Sequence, residues 1–195
     1  MTRLAWAGLS RAFGPEPHGH ITEITVIFET FGVHFSDISF TLPLMPQSLA
    51  RVVLHVVFST KNRVPFLKDT DLRTQLWAYM AGILQRIGCE PIVINGVADH
   101  AHILCNLSRT VTIAKLSEEV KTEPSKWMKK QGPQYADFHW QSGYSSYSVS
   151  QSNVEPVRRY IEDQEARHQK VSFQDEVRAL CRKHGIAIDE RYVWD

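Results

Sequence analysis

The chain has 195 residues, 43% hydrophobic and 22% charged, with a formal net charge of +1. This is the make-up of one ordinary folded domain with room for a tail. It offers no charge-based argument for nucleic acid, and no apolar run approaches the roughly 20 residues that cross a bilayer. The opening stretch MTRLAWAGLSRAFGPEPHGH breaks its apolar run at Ser10 and Arg11 and does not read as a signal peptide. Cys89, Cys105 and Cys181 are an odd number with no Cys-x-x-Cys pair. That pattern argues against a disulfide framework or a cysteine zinc site and suits a reducing cytoplasm.

Residues 1–44 carry two basic and four acidic side chains, a net of −2, against 20 and 17, a net of +3, over residues 45–195. They show no sustained hydrophobic period and read as a poorly patterned extension. Met45 opens the patterned region, residues 45–195, as the start of the folded domain and a candidate initiation site; the alternative is that residues 1–44 form an accessory strand or tail. Arg51–Ser59, RVVLHVVFS, alternates and is rich in valine, a strand. Asp71–Ile87 carries Leu72, Leu76, Tyr79, Met80, Ile83 and Ile87 at helical spacing and stops at Gly88. Pro91–Val97 and His100–Leu107 read as strands joined by a turn near Asn95-Gly96. Ile113, Leu116, Val120 and Trp127 mark a second helix that Pro124 should kink or split. Lys121, Lys126, Lys129 and Lys130 lie close together there, as a solvated helix face or a phosphate-contacting patch. Tyr144–Ser150 is a fourth strand. A helix follows with a capping box from Ser152 to Glu155 and an inner stripe of Val154, Val157 and Ile161. A last helix runs through Phe173, Val177 and Leu180.

From residue 50 this order predicts an α+β fold, the ferredoxin-like split β-α-β-β-α-β sheet with helices on one face and an added C-terminal helix. The other sheet face is expected to be open to a ligand or partner.

Within VADHAHIL, residues 97–104, His100 and His102 stand two apart in a strand and so share a face, while Ala101, Ile103 and Cys105 face the helices. Two neutral imidazoles on one face can converge on a divalent ion, or can be two solvated histidines. A third ligand is expected from VEPVRRYIEDQEARH, where Tyr160 and Gln164 are four apart on one helix face. The Gln164 amide oxygen suits a Mg²⁺ or Mn²⁺ shell, and the Tyr160 phenol is a covalent nucleophile unless it is amphipathic packing.

DHAHILCNL and VRRYIEDQEARH together resemble the HUH single-tyrosine transposases of small bacterial insertion sequences, the IS200-like type. LHVVFSTKNRVP is similar to their first strand and loop, FHWQSGYSSYSVS to the segment before the tyrosine helix, and HGIAIDERYVWD to the C-terminal end of one branch. The resemblance covers about residues 45–195, with the motifs in order. It implies that His100 and His102 bind the divalent metal, with Gln164 as third ligand. It implies that Tyr160 attacks single-stranded DNA to leave a 5′-phosphotyrosine and a free 3′-hydroxyl. It further implies a homodimer, the tyrosine helix of one subunit often facing the histidines of the other, and DNA hairpins held by basic side chains. Lys61, Arg63, Lys121, Lys126, Lys129 and Lys130 are the candidates for that.

The chain departs from the pattern at Ala101, where a bulkier aliphatic is usual, at Ala98 in place of proline, and at Pro124. Two other readings predict different behaviour. A non-catalytic ferredoxin-like module would bind nucleic acid without needing Tyr160. A water-using metal-dependent phosphodiesterase would want a carboxylate base such as Asp99 and would never attach to its substrate.

Overall fold

The computed structural model describes residues 49–194, so the expectations for residues 1–44 and for Met45 lie outside the described residues. The elements are β1 (Val53–Ser59), α1 (Thr70–Arg86), β2 (Glu90–Gly96), β3 (His100–Asn106), α2 (Ile113–Met128), β4 (Ser145–Val149), α3 (Val154–Glu162), α4 (Gln164–His168) and α5 (Phe173–Lys183). All neighbouring strands are antiparallel and lie in the order β2-β3-β1-β4. This is the split β-α-β-β-α-β sheet expected from the sequence, with two added short helices and α5 after β4.

One face carries the main core. Leu54, Val56 and Phe58 of β1 and Ala101, Ile103 and Cys105 of β3 are buried there against Leu76, Met80 and Leu84 of α1 and Leu116, Val120 and Met128 of α2. Period-two alternation in the strands and the i, i+4 rows of the helices put these side chains on facing surfaces. Asp69 caps α1 by accepting from the Asp71 and Leu72 amides, and Thr112 caps α2 by accepting from the Lys115 amide. Gly88, at φ 76°, ends the α1 turn in the left-handed region, as its position predicted.

The structure corrects three local expectations. First, α2 runs unbroken through Pro124. The proline is buried on the core side of the helix, and the Ser125 hydroxyl beside it donates back to the Lys121 carbonyl at 2.7 Å. Second, the turn does not fall at Asn95-Gly96. Asn95 lies inside β2 opposite His102, and residues 97–99 make the connection. Third, Ser152 and Glu155 form no capping box. Residues 151–153 are a 3₁₀ turn, so the helix cap falls on Asn153, Ser152 bonds Ser150, and Glu155 is taken by Arg158 and Arg159.

The largest correction concerns the second sheet face, which is not open. Ile161 of α3 is buried against Val53 and Leu104, with Val154 and Val157 beside it. Phe173, Val177 and Cys181 of α5 are buried against Val57 and Tyr147. Apolar side chains on that face needed a cover, and the C-terminal helices supply it.

Candidate active site

β3 turns His100 and His102 to this covered face, both fully buried, with ring centroids 5.2 Å apart. Asp99, just before the strand, accepts from His100 Nδ1 at 2.7 Å, which leaves His100 Nε2 as the free ring nitrogen. The loop that carries Asp99 is pinned in turn, since the Thr60 amide and hydroxyl both donate to the Asp99 carbonyl, at 2.7 and 3.1 Å. Asp99 therefore orients a histidine; its carboxylate is occupied there.

α3 brings Tyr160 over His102, with ring centroids 6.0 Å apart. The Asn95 side chain fixes this placement by donating to the carbonyls of Ile161 and Glu162 at the end of α3, at 2.9 and 3.0 Å. The chain breaks at Asp163 and restarts as α4, so the single helix expected over this segment is two. Gln164 still falls on the site side and is fully buried. Its amide nitrogen donates to the Tyr160 carbonyl and to Glu176 Oε1, both at 3.2 Å. That orientation turns its oxygen to His168 Nε2 at 3.0 Å and His100 Nε2 at 3.4 Å. A flipped amide would set its oxygen against two acceptors.

Four residues that the sequence motifs did not single out join them. His168 comes from the end of α4, its Nδ1 donating to the Val171 carbonyl at 2.8 Å. Glu176 enters from α5, 1% exposed. Its Oε1 accepts from the Tyr160 hydroxyl, and Arg167 Nε stands 3.3 Å from the same oxygen. Arg167 also stacks over the Tyr160 ring, 4.4 Å from its centroid. His55 of β1 lies behind the pair, its Nε2 2.9 Å from His102 Nδ1. Signals existed for two of these: His168 is four residues beyond Gln164, and Glu176 interrupts the apolar stripe of Phe173, Val177 and Leu180.

Burial governs the electrostatics. It lowers the His102 pKa from 6.5 to about 4 and holds His55 well below its usual value, with His102 pushing His55 the same way. Burial opposes ionisation of Glu176, but its close contacts with the site, those with His102 and His168 first, win and keep it a carboxylate far below the usual range. Burial, and then the Glu176 charge, push the Tyr160 phenol well above 10. The resting site is thus a neutral phenol against a carboxylate.

The donor set fits a divalent cation. His102 Nε2 is buried with no hydrogen-bond partner, and one ligand atom from each of His100, His102, His168 and Glu176 lies within 4.8 Å of the others. The basic residues proposed for DNA are elsewhere. Lys121 donates to the Ser142 and Gly143 carbonyls, at 2.9 Å each, and burial lowers its pKa to about 8. Lys126 pairs with Glu123, and Lys129 lies 3.1 Å from a His139 ring nitrogen. Lys61 and Arg63 sit in the 3₁₀ turn after β1, and Lys130 is exposed at the end of α2.

A family model described as "Transposase IS200 like" matches residues 48–164. The chain belongs to the IS200-like transposase family. The match runs from ahead of β1 to Gln164 and so takes in the histidine strand and Tyr160. No match was found among curated proteins. Among solved structures, this transposase is similar to a candidate transposase from Deinococcus radiodurans R1, at 20% identity over 63% of this chain and 98% of that one, with a TM-score of 0.49. It is also similar to a REP-associated tyrosine transposase bound to a REP hairpin, at 13% identity over 67% and 76% of the two chains, with a TM-score of 0.48. All three cysteines of this transposase are free and buried, and no helix among the described residues is long and apolar enough to cross a membrane.

Proposed function

We propose that this transposase cuts and rejoins single-stranded DNA through a covalent bond to Tyr160, with a divalent metal held by His100, His102 and Gln164. The observation that carries the reading is the meeting of Tyr160 with the buried histidine pair inside one chain, the phenol bonded to a carboxylate that touches both His102 and His168. Such a site has no use in a passive nucleic-acid module, where buried polar groups cost stability.

The step is an exchange of phosphodiesters. Tyr160 Oη forms a bond to phosphorus as the bond to the 3′ oxygen breaks, leaving a 5′-phosphotyrosine and a 3′-hydroxyl. Glu176 Oε1 holds and orients the phenol by accepting its hydrogen bond, and the phenol proton leaves to solvent as the bond to phosphorus forms. The leaving 3′ oxygen takes its proton from solvent. The ion, when bound, supplies positive charge beside the non-bridging phosphate oxygens. Arg167, across the Tyr160 ring, adds a second positive group for the same phosphate. Because the phosphotyrosine conserves the bond energy, a 3′-hydroxyl reverses the attack without a nucleotide cofactor. A cleft of about 210 Å³ lined by His55, Tyr160, Lys183 and His184 lies beside the tyrosine. The substrate is single-stranded DNA with hairpins at the element ends, and the acting species is a homodimer of the 45–195 domain.

Labelled hairpin DNA incubated with the protein and Mn²⁺, then run on a denaturing gel, is expected to give a protein–DNA adduct that Tyr160→Phe abolishes. Cleavage that persists in Tyr160→Phe without an adduct would assign the attack to water instead.

A further inference from the structure

We propose that His168 and Glu176 are themselves metal ligands, so that the ion sits in a five-donor site of His100, His102 and His168 Nε2, Gln164 Oε1 and Glu176 Oε2. The inference rests on the metal-dependent reading above and extends its ligand set by two residues from the C-terminal segment, which lies beyond the 48–164 family match.

The two oxygens of Glu176 are placed differently. Oε1 is surrounded by donors, namely the Tyr160 hydroxyl, the Gln164 amide nitrogen at 3.2 Å and Arg167 Nε at 3.3 Å. Oε2 faces only ring nitrogens, His168 Nε2 at 3.0 Å, His102 Nε2 at 3.3 Å and His100 Nε2 at 3.9 Å. For two of these the proton is already committed to the other nitrogen, because His168 Nδ1 donates to the Val171 carbonyl and His100 Nδ1 to Asp99. The third, His102 Nε2, has no hydrogen-bond partner at all. Gln164 turns its oxygen, not its nitrogen, to the same point. Donor atoms of five side chains converge there, with the ring protons of His100 and His168 on the far nitrogens and His102 Nε2 unbonded, which is the arrangement a cation resolves.

The spacing agrees. Donors about 2.1 Å from a shared ion stand about 3 Å apart at right angles and about 4 Å apart across it. The separations from Glu176 Oε2 to the three ring nitrogens, 3.0, 3.3 and 3.9 Å, and from Gln164 Oε1 to His168 and His100, 3.0 and 3.4 Å, fall inside that range, and no two of the His and Glu donor atoms are more than 4.8 Å apart. Three imidazoles and two oxygens suit Mn²⁺ or a later transition ion over Mg²⁺, which favours an all-oxygen, largely hydrated shell. With Oε1 on Tyr160 and Oε2 on the ion, Glu176 also ties the nucleophile to the metal through one carboxylate.

The test is Mn²⁺ binding by calorimetry to the full chain and to Glu176→Gln, His168→Ala and His100→Ala, each checked for folding by its thermal melt. Glu176→Gln and His168→Ala are expected to weaken Mn²⁺ binding at least about tenfold, since even outer partners of a ligand are worth that much. Pulsed electron paramagnetic resonance of the Mn²⁺-loaded wild type counts bound imidazoles without any variant, and three are expected. Two imidazoles, or folded Glu176→Gln and His168→Ala variants that bind like wild type while His100→Ala does not, would overturn this ligand set and leave the metal reading standing. A His168–Glu176 ion pair of purely structural worth would lower the melting temperatures of those two variants and nothing else, which would overturn the ligand set in the same way. No Mn²⁺ binding by wild type would sink the metal reading and this inference together.

Discussion

On one face of the sheet, β1 and β3 turn Leu54, Val56, Phe58, Ala101, Ile103 and Cys105 to α1 and α2; on the other, alternate residues of the same strands turn His55, His100 and His102 to the helices after β4. Both faces are buried to the same degree, so burial alone does not tell them apart. The first is apolar, and removing it from water stabilises the fold. The second desolvates three imidazoles, an amide and a carboxylate, a cost that packing does not recover. One face holds the sheet together and the other gathers the polar groups of the proposed site, and the period-two alternation of a single strand serves both.

The sharpest way to separate the faces is to damage the first. Phe58, fully buried, makes edge contact with Trp140 at 4.9 Å. Phe58→Ala is expected to cost about 3–5 kcal/mol in urea unfolding while the folded fraction keeps its Mn²⁺ affinity. A loss of affinity with intact folding would show that the two faces are not independent.

The next test acts on the second face through pH. His102 stays neutral in the fold, with its pKa near 4 against 6.5 for the free side chain. As pH falls below about 6.5 the unfolded chain takes up a proton that the folded chain refuses, so stability present above that value is lost, progressively, down to about 4. Between about pH 7 and pH 5 His102 alone accounts for about 2 kcal/mol, and His55 acts in the same direction. Unfolding free energies that stay level over this interval would refute it, since the Glu176 contribution begins to fall only as pH drops through the normal carboxylate value of 4.5.

A smaller and more selective change is Asp99→Asn, which keeps the shape but weakens the hold on His100 Nδ1. Mn²⁺ affinity is expected to drop about 10- to 100-fold with the melting temperature nearly unchanged. The reverse pattern, a lower melting temperature and unchanged affinity, would make Asp99 a loop anchor only. Smallest of all, Ser125→Ala removes the hydroxyl beside Pro124 on the α2 side and should cost about 1 kcal/mol with no effect on metal or DNA. A measurable effect on metal binding would contradict the division between the faces.

Much of this arrangement was legible in the chain. The strand period puts His100 and His102 on one face, the helical period puts Tyr160 and Gln164 on another, and the structure brings the two pairs together. His55 was less visible because its nearness to His102 depends on the β1–β3 register, in which His55 lies opposite Leu104 and Val57 opposite His102. Glu176 and His168 arrive on segments whose approach is fixed by tertiary packing, by Phe173 and Val177 against Val57 and Tyr147, which no local period encodes. The second face was expected to be open although Val53, Val57, Leu104 and Tyr147 on it are apolar. Those four residues already called for a cover.

Tyr160 as the nucleophile is tested without intermediaries by proteolysis of the adduct formed on hairpin DNA with Mn²⁺, followed by mass spectrometry of the DNA-bearing peptide. The expected product is a nucleotide joined through a 5′-phosphate to Tyr160, with a free 3′-hydroxyl on the released strand. A nucleotide on any other side chain, or cut DNA with no peptide attached, would contradict the assignment.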